Sequence, residues 1–312
     1  MAGLKIAYAG LGNMGENLSV HLANYARANG GSLTVWNRSK GKYDSVKAEL
    51  GEGVTYAAGD VDELAGADVI FVSVLNDAAS TDVVTRLTAK AKGAVIVDQS
   101  SLNPKTSIAL EQLAAKSGNA YLAAPVFGRP DAAKAGKLIQ VVAGNKDAKA
   151  KVRPLFNIFA RAVLDLGEEV QKGNTLKLMG NALILGVIEL LAETYALGDA
   201  LDIDPSVFQQ FIDLFFPTPS YGAYGNKIGK GTFGSAGGFR LEGGLKDANN
   251  ILNVGADLGH PVNLPTIALA KEHMERAVEL GGIDMDWSSL SAVLRERAGL
   301  EPFKVKQDEP KQ

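Results

Sequence analysis

The chain has no cysteine and only three histidines in its 312 residues. The first absence excludes disulfides, thiolate chemistry and cysteine-ligated zinc. The second leaves little to hold a metal, because His21, His260 and His273 are scattered and lack the close spacing of a ligand pair. Positive charge is not in excess either. Lysine and arginine number 32 against 35 acidic residues, a formal charge of −3, which argues against nucleic acid or an anionic membrane as partner. Long hydrophobic runs are also missing. The uncharged stretch of the most apolar segment, Leu178–Ile188, is too short to span a bilayer and has Lys177, Glu189 and Glu193 around it. The N-terminal residues lead directly into a strand-like stretch, without the basic region and apolar core of a targeting signal, so a cytoplasmic location is expected. Catalysis, if any, falls to lysine, carboxylate, hydroxyl or amide groups working with an organic cofactor.

What is present is ordinary for a soluble globular protein, with 46% apolar and 21% charged residues and length enough for two domains. The first half alternates short apolar runs with helical stretches. Strands are expected at Lys5–Gly10, Ser32–Asn37, Val69–Val74, Ala94–Asp98, Tyr121–Ala124 and Leu138–Ala143, with helices such as Met14–Asn29 and Pro104–Lys116 between them. Apolar strands alternating with helices indicate a parallel sheet covered on both faces. The rhythm changes near Leu166–Lys172. From Gly173 to Gly198 there is no proline and leucine, isoleucine, valine and methionine recur nearly all round, as in a long helix inside a bundle. Further helices are expected at Pro205–Phe215, Gly243–Leu258, Leu264–Leu280 and Trp287–Arg297, with a mobile loop over Phe216–Gly238. The division is therefore an α/β domain over residues 1–168, a helical domain over 169–300 and a loose tail over 301–312.

Gly10-Leu11-Gly12-Asn13-Met14-Gly15 follows the first strand and opens the first helix. Its glycines permit a tight turn, close backbone approach to a pyrophosphate, and close helix–strand packing, with the helix N–H groups facing the phosphates. The strand–turn–helix setting turns a weak motif into a specific one. The second strand ends in Asn37-Arg38-Ser39, about 22 residues past Gly15. A carboxylate there would bind both ribose hydroxyls of NAD and repel a 2′-phosphate. Asn37 is neutral, Arg38 offers a planar donor fork and Ser39 a hydroxyl, so the expected cofactor is NADP(H). Lys40 and Lys42 make the corner more positive; otherwise these cations are simply solvated.

Four motifs in order resemble the β-hydroxyacid dehydrogenases, which include 3-hydroxyisobutyrate dehydrogenase and the glyoxylate/succinic semialdehyde reductases. They are the glycine loop, Ala124-Pro125-Val126-Phe127-Gly128, Gly173-Asn174-Thr175-Leu176-Lys177-Leu178-Met179-Gly180-Asn181, and Phe239 with Lys246-Asp247. The resemblance covers roughly residues 4–298. It implies a Rossmann-type, doubly wound, mostly parallel sheet joined by a long helix to an all-helical C-terminal domain, with substrate between the two. It also implies an NADP(H)-dependent oxidoreductase for a small carbonyl or hydroxy substrate, working as a homodimer or a dimer of dimers. The third motif looks like the family's catalytic helix.

The residues support this independently. Lys177 and Asn181 are spaced i, i+4, so both project from one helix face. An ammonium on an otherwise apolar helix needs a partner or a task. Reducing a carbonyl without a metal needs a proton donor at the oxygen. Lys177 can supply it and Asn181 can hold the carbonyl, with Gly173 and Gly180 leaving room for something bulky. Desolvation and a cationic nicotinamide would bring the lysine toward its working range. The alternative is that Lys177 snorkels to solvent or pairs with an acid such as Glu193. Lys246-Asp247 reads on spacing alone as a salt-bridged pair, whereas the resemblance implies that Lys246 reaches the nicotinamide. Val74-Leu75-Asn76 and Ser100-Ser101 close two strands where open α/β folds bind their ligands. The resemblance places the nicotinamide half there; the alternative for the serines is capping of the helix after Pro104.

Three positions of one segment depart from the family. Its substrate segment usually reads Asp-Ala-Pro-Val-Ser-Gly-Gly; here Ala123 replaces the aspartate, Phe127 the serine and Arg129 the second glycine. Val126, Phe127, Gly128 and Arg129 are the expected substrate contacts, but a phenyl ring cannot donate to a carboxylate. Arg129 replaces that anion contact, or Phe127 lines a pocket for a more apolar carbonyl compound. Imine reductases are similar over the same length and share an Asn-Arg-Ser signature, but typically carry aspartate or tyrosine at the lysine position. A third possibility is a catalytically idle NADP-binding module.

Overall fold

The computed structural model describes residues 3–234 and 238–304. The chain divides into two compact units, Met1–Lys177 and Leu178–Gln312.

In the first unit the elements run β1 (Lys5–Ala9), α1 (Gly15–Ala28), β2 (Ser32–Trp36), α2 (Lys42–Leu50), β3 (Val54–Tyr56), β4 (Val69–Val72), α3 (Asp77–Lys90), β5 (Val95–Asp98) and α4 (Pro104–Lys116). Then come β6 (Ala120–Ala123), β7 (Val126–Phe127), α5 (Pro130–Lys134), β8 (Leu138–Gly144), α6 (Lys146–Phe156), β9 (Ala160–Asp165) and the start of α7 (Gln171–Ala200). The strand order is β3-β2-β1-β4-β5-β6-β8-β7, with β9 on β8. All pairs from β3 to β6 are parallel, and β8 runs antiparallel to β6 and β7. Strand order reverses between β1 and β4, the crevice where doubly wound sheets take ligands.

The period-2 alternation of each strand separates two cores. Ile6 and Tyr8 of β1 and Val69 and Phe71 of β4 join one cluster with α1 and α6, whereas Ala7, Ala9, Ile70 and Val72 join another with α3 and α4. All six expected strands are present, with ends within two residues of the expected ones. Sequence reading missed β3, β7 and β9. The first two are very short, and β9 is mostly exposed, so none carries a buried apolar run.

The second unit contains α8 (Pro205–Phe215), α9 (Pro219–Lys230), α10 (Leu241–Asp257), α11 (Pro265–Ala277) and α12 (Ser291–Arg297). The stretch expected as a mobile loop over 216–238 is largely helical, because α9 occupies Pro219–Lys230. Its glycines serve close packing. A Cβ at Gly225 would come within 2.5 Å of Gln209 Oε1, and one at Gly229 within 2.9 Å of the Tyr195 ring. Proline at the first turn and Gly231 in the left-handed region end the helix cleanly. The expected tail begins as ordered chain: Phe303 packs on the core and Lys304 Nζ lies 2.9 Å from Asp199 Oδ1. Its remainder, 305–312, lies outside the described residues.

The expectation that α7 is buried all round needs correction. Leu178, Leu185, Ile188, Ala192 and Tyr195 enter the second unit's core, but Met179, Leu183, Leu190 and Leu197 form an exposed stripe at helical spacing. On α8, Phe211, Leu214 and Phe215 are exposed as well. Among the described residues α7 is the one helix long and apolar enough to cross a membrane, with mean hydropathy 1.6. Its packed face and the buried contact of Glu189 with His273, at 2.7 Å, are those of a core helix.

Candidate active site

The glycine loop leaves β1 under tight steric control. Gly10 has φ +104°, and a Cβ there would lie 2.1 Å from the Ser73 carbonyl oxygen. At Gly15 a Cβ would meet the Gly10 oxygen at 1.9 Å. Only glycine fits either position. A Cβ at Gly12 would meet nothing within 4 Å, so the loop's crest is open. Gly12 and Asn13 are exposed, Leu11 is buried, and Met14 is the N-cap of α1 without a side-chain cap. A helix N-terminus without a side-chain cap beside open glycine backbone fits a dinucleotide's pyrophosphate.

Asn37 shapes this loop from the end of β2. Its Oδ1 accepts from Leu11 N at 2.9 Å and its Nδ2 donates to Ser39 O at 3.0 Å. Arg38 and Ser39 are exposed and can meet an anion. The two lysines expected to add charge are employed elsewhere. Lys40 donates to the Ala57 and Gly59 carbonyls and lies over the Trp36 ring, while Lys42 pairs with Glu16 at 2.7 Å.

The next two loops are joined through Asp98. Its buried carboxylate accepts from Ser80 Oγ, from Tyr121 OH at 3.1 Å and from Ser100 N at 2.9 Å. Burial pushes its pKa up, although these donors oppose the shift. Ser100 Oγ in turn accepts from Val74 N at 3.0 Å, which fixes Val74-Leu75-Asn76 against Ser100-Ser101. Leu75 is exposed, and Asn76 caps α3 through Ala79 N. The cap of α4 is Asn103, not either serine.

Behind the expected substrate segment runs a chain of amides that sequence reading missed. Tyr8 OH donates to Gln99 Oε1 at 2.9 Å, Gln99 Nε2 donates to Gln140 Oε1, and Gln140 Nε2 donates to Ala124 O at 2.6 Å. Glutamine inside an otherwise apolar strand was the available signal. Val126 and Phe127 pair with Gln140 and Ile139 of β8. Gly128 turns at φ +140°, where a Cβ would strike Leu138 at 2.4 Å, and Arg129 is the N-cap of α5.

The start of α7 is pinned by Asn174, a fully buried residue also missed from sequence. Its Oδ1 accepts from Leu102 N and its Nδ2 donates to Ser107 Oγ, both at 3.0 Å. Gly173 does not make room for a ligand as expected. A Cβ there would lie 2.8 Å from the Ala123 carbonyl oxygen, so the glycine lets helix and strand meet. Half-buried Lys177 sits one turn further on, with its Nζ 4.4 Å from the Phe127 ring centroid.

In the second unit, Asn181 Nδ2 donates to Asp247 Oδ2 at 2.6 Å, and Lys246 Nζ lies 3.0 Å from Asp247 Oδ1. Asp247 is fully buried and joins the two expected site residues. Phe239 stacks edge-on against Trp287 and remains partly exposed.

Comparison with known proteins places the chain among oxidoreductases. Residues 5–167 match the family model described as the NAD binding domain of 6-phosphogluconate dehydrogenase. The uncharacterized oxidoreductase YfjR of Bacillus subtilis (strain 168) is 33% identical over 92% of this chain and 98% of its own length. Glyoxylate/succinic semialdehyde reductase 2, chloroplastic, of Arabidopsis thaliana is 27% identical over 94% of this chain and 80% of its own. The structure of Mycobacterium tuberculosis 3-hydroxyisobutyrate dehydrogenase superposes with a TM-score of 0.79 over 95% of this chain and 100% of that one, at 21% identity, a likeness of fold.

Proposed function

The chain belongs to the β-hydroxyacid dehydrogenase family and is an NAD(P)-binding oxidoreductase acting on CH–OH groups; from that premise we propose that it uses NADP(H) to interconvert a small carbonyl compound and its alcohol, with Lys177 as proton donor and acceptor. The observation that carries this reading is the half-buried ammonium of Lys177, held over an aromatic face one helical turn before Asn181. Gly10–Gly15 hold the pyrophosphate. Arg38 and Ser39 take the 2′-phosphate, because the neighbouring Asn37 carries no opposing charge. The loops at Val74–Asn76 and Ser100–Ser101 hold the nicotinamide half, and the family resemblance makes Lys246 a further cofactor contact.

When bound, the nicotinamide supplies hydride to the carbonyl carbon or accepts it from the alcohol. Lys177 delivers the balancing proton to the carbonyl oxygen, and as the neutral amine takes it back in the oxidative direction. Asn181 is the second catalytic residue of this reading, and Asp247 accepts from its amide. Val126, Phe127, Gly128 and Arg129 line the substrate.

The exposed stripe on α7 and the exposed phenylalanines of α8 support a second copy of this chain as partner, in a homodimer or a dimer of dimers. Imine reduction is the second reading, favoured by the apolar Phe127; Lys177 weighs against it. NADPH oxidation across aldehydes, keto acids, β-keto esters and cyclic imines decides between them. The expected result is carbonyl reduction that falls on the order of 10²–10⁴-fold in Lys177→Ala, with NADPH bound at least about tenfold more tightly than NADH by fluorescence titration. Equal affinities, or undiminished turnover in Lys177→Ala, refute it.

A further inference from the structure

We infer that Phe127 sets the substrate class: the site takes aldehydes or ketones whose carbonyl is flanked by hydrocarbon, and discriminates against those bearing a carboxylate. This rests on the reading of Lys177 as proton donor. The face of an aromatic ring is the negative lobe of its quadrupole, and at 4.4 Å that lobe is already turned to the ammonium. A substrate carboxylate drawn toward Lys177 would compete with the ring for the cation and lie against a face that repels it. A hydrocarbon chain gains from the same surface, because it covers ring area that would otherwise stay wet.

The ring is held in place. Val126 and Phe127 pair with Gln140 and Ile139 of β8, and the carbonyls just before them are gripped by Gln140 Nε2 at 2.6 Å and Val141 N at 3.0 Å. The next residue, Gly128, turns in a conformation that leaves no room for a side chain beside Leu138. On the other side, Gly173 and Asn174 fix the height of α7, and hence of Lys177, against Ala123, Leu102 and Ser107. Ring and ammonium are thus positioned by separate anchors. The reduction is otherwise unchanged: hydride from NADPH forms the new C–H bond, the C=O π bond opens, and the proton from Lys177 completes the alcohol.

The test pairs two aldehydes of similar length, pentanal and succinic semialdehyde, assayed by NADPH oxidation with wild type, Phe127→Ser, Phe127→Leu and Arg129→Ala. Wild type is expected to favour pentanal in kcat/KM by about tenfold or more, and Phe127→Ser to move that ratio at least about tenfold toward the semialdehyde, mainly through KM. Phe127→Leu keeps the hydrocarbon and should keep the preference. A wild-type preference for the semialdehyde that Arg129→Ala abolishes, or a ratio unmoved in Phe127→Ser, overturns the inference. NMR titration of NADP⁺-loaded protein with 1-pentanol and 4-hydroxybutyrate reads the same discrimination without turnover, and equal affinities in wild type and Phe127→Ser likewise overturn it. Lys177→Ala, run in parallel, separates the two levels: undiminished pentanal reduction refutes the proton-donor reading, whereas the Phe127 ratios bear on substrate class alone.

Discussion

Replacing Asn174 by alanine removes two hydrogen bonds from a side chain with no exposed surface. The Leu102 N–H loses its acceptor in a region water does not reach, a cost of about 1–3 kcal/mol, and the partner hydroxyl of Ser107 loses a donor. Together with the small void, the expected loss is about 2–3 kcal/mol, which lowers the melting temperature of a unit this size by on the order of 4–12 °C. The more telling consequence is at Lys177, one turn away. Without its amide clamp the first turn of α7 is free to shift against Ala123, and a displacement of about 1 Å costs roughly 10²-fold in rate. Thermal melts and NADPH-coupled turnover of pentanal measure both quantities on the same sample. A melting temperature within about 1 °C of wild type would refute the hydrogen-bond argument. A destabilised variant with undiminished kcat at low temperature would refute the claim that Asn174 positions the lysine.

Two other predictions concern stability. Asp98 has its pKa raised above the ordinary carboxylate value, mainly by burial, so between those two values the folded chain binds more protons than the unfolded one. Its stabilising contribution is full below the ordinary value and is lost as pH rises through the raised one. The melting temperature of wild type should therefore fall relative to Asp98→Asn across that window and run parallel above it; a difference of the opposite sign refutes the assignment. Gly229→Ala drives a methyl to within 2.9 Å of the Tyr195 ring and should destabilise the second unit by about 1–3 kcal/mol in urea unfolding. A neutral result means that α9 lies less closely on Tyr195.

The first unit was legible because its cues are local. A strand buried on both faces must be continuously apolar, as Val69–Val72 and Val95–Asp98 nearly are, and Gly10, Gly12 and Gly15 have spacing that few other structures require. What escaped depends on partners distant in sequence. Asn174 acts on residues 67 and 72 positions earlier, and Gln99 on Gln140, so neither motif nor periodicity could announce them. The glycines of α9 misled because composition cannot separate a flexible glycine from one that admits a neighbouring helix. Lys177 was visible as a charge on an apolar helix, and Phe127 and Arg129 as departures from the family's segment, yet the stacking of ammonium on phenyl needed coordinates.

The two hydrogen bonds of Asn37 have a consequence for how the coenzyme corner can change. Aspartate at that position would still accept from Leu11 N, but its second oxygen would face the Ser39 carbonyl that the amide now satisfies. The charge that a ribose diol rewards thus arrives together with a repulsion inside the loop presenting Arg38 and Ser39. Because that carbonyl belongs to the backbone, no side-chain change at 39 removes the repulsion, and Asn37→Asp alone is expected to disorder the corner and weaken binding of either coenzyme. The asparagine thereby ties the order of the loop to the charge carried at its own position.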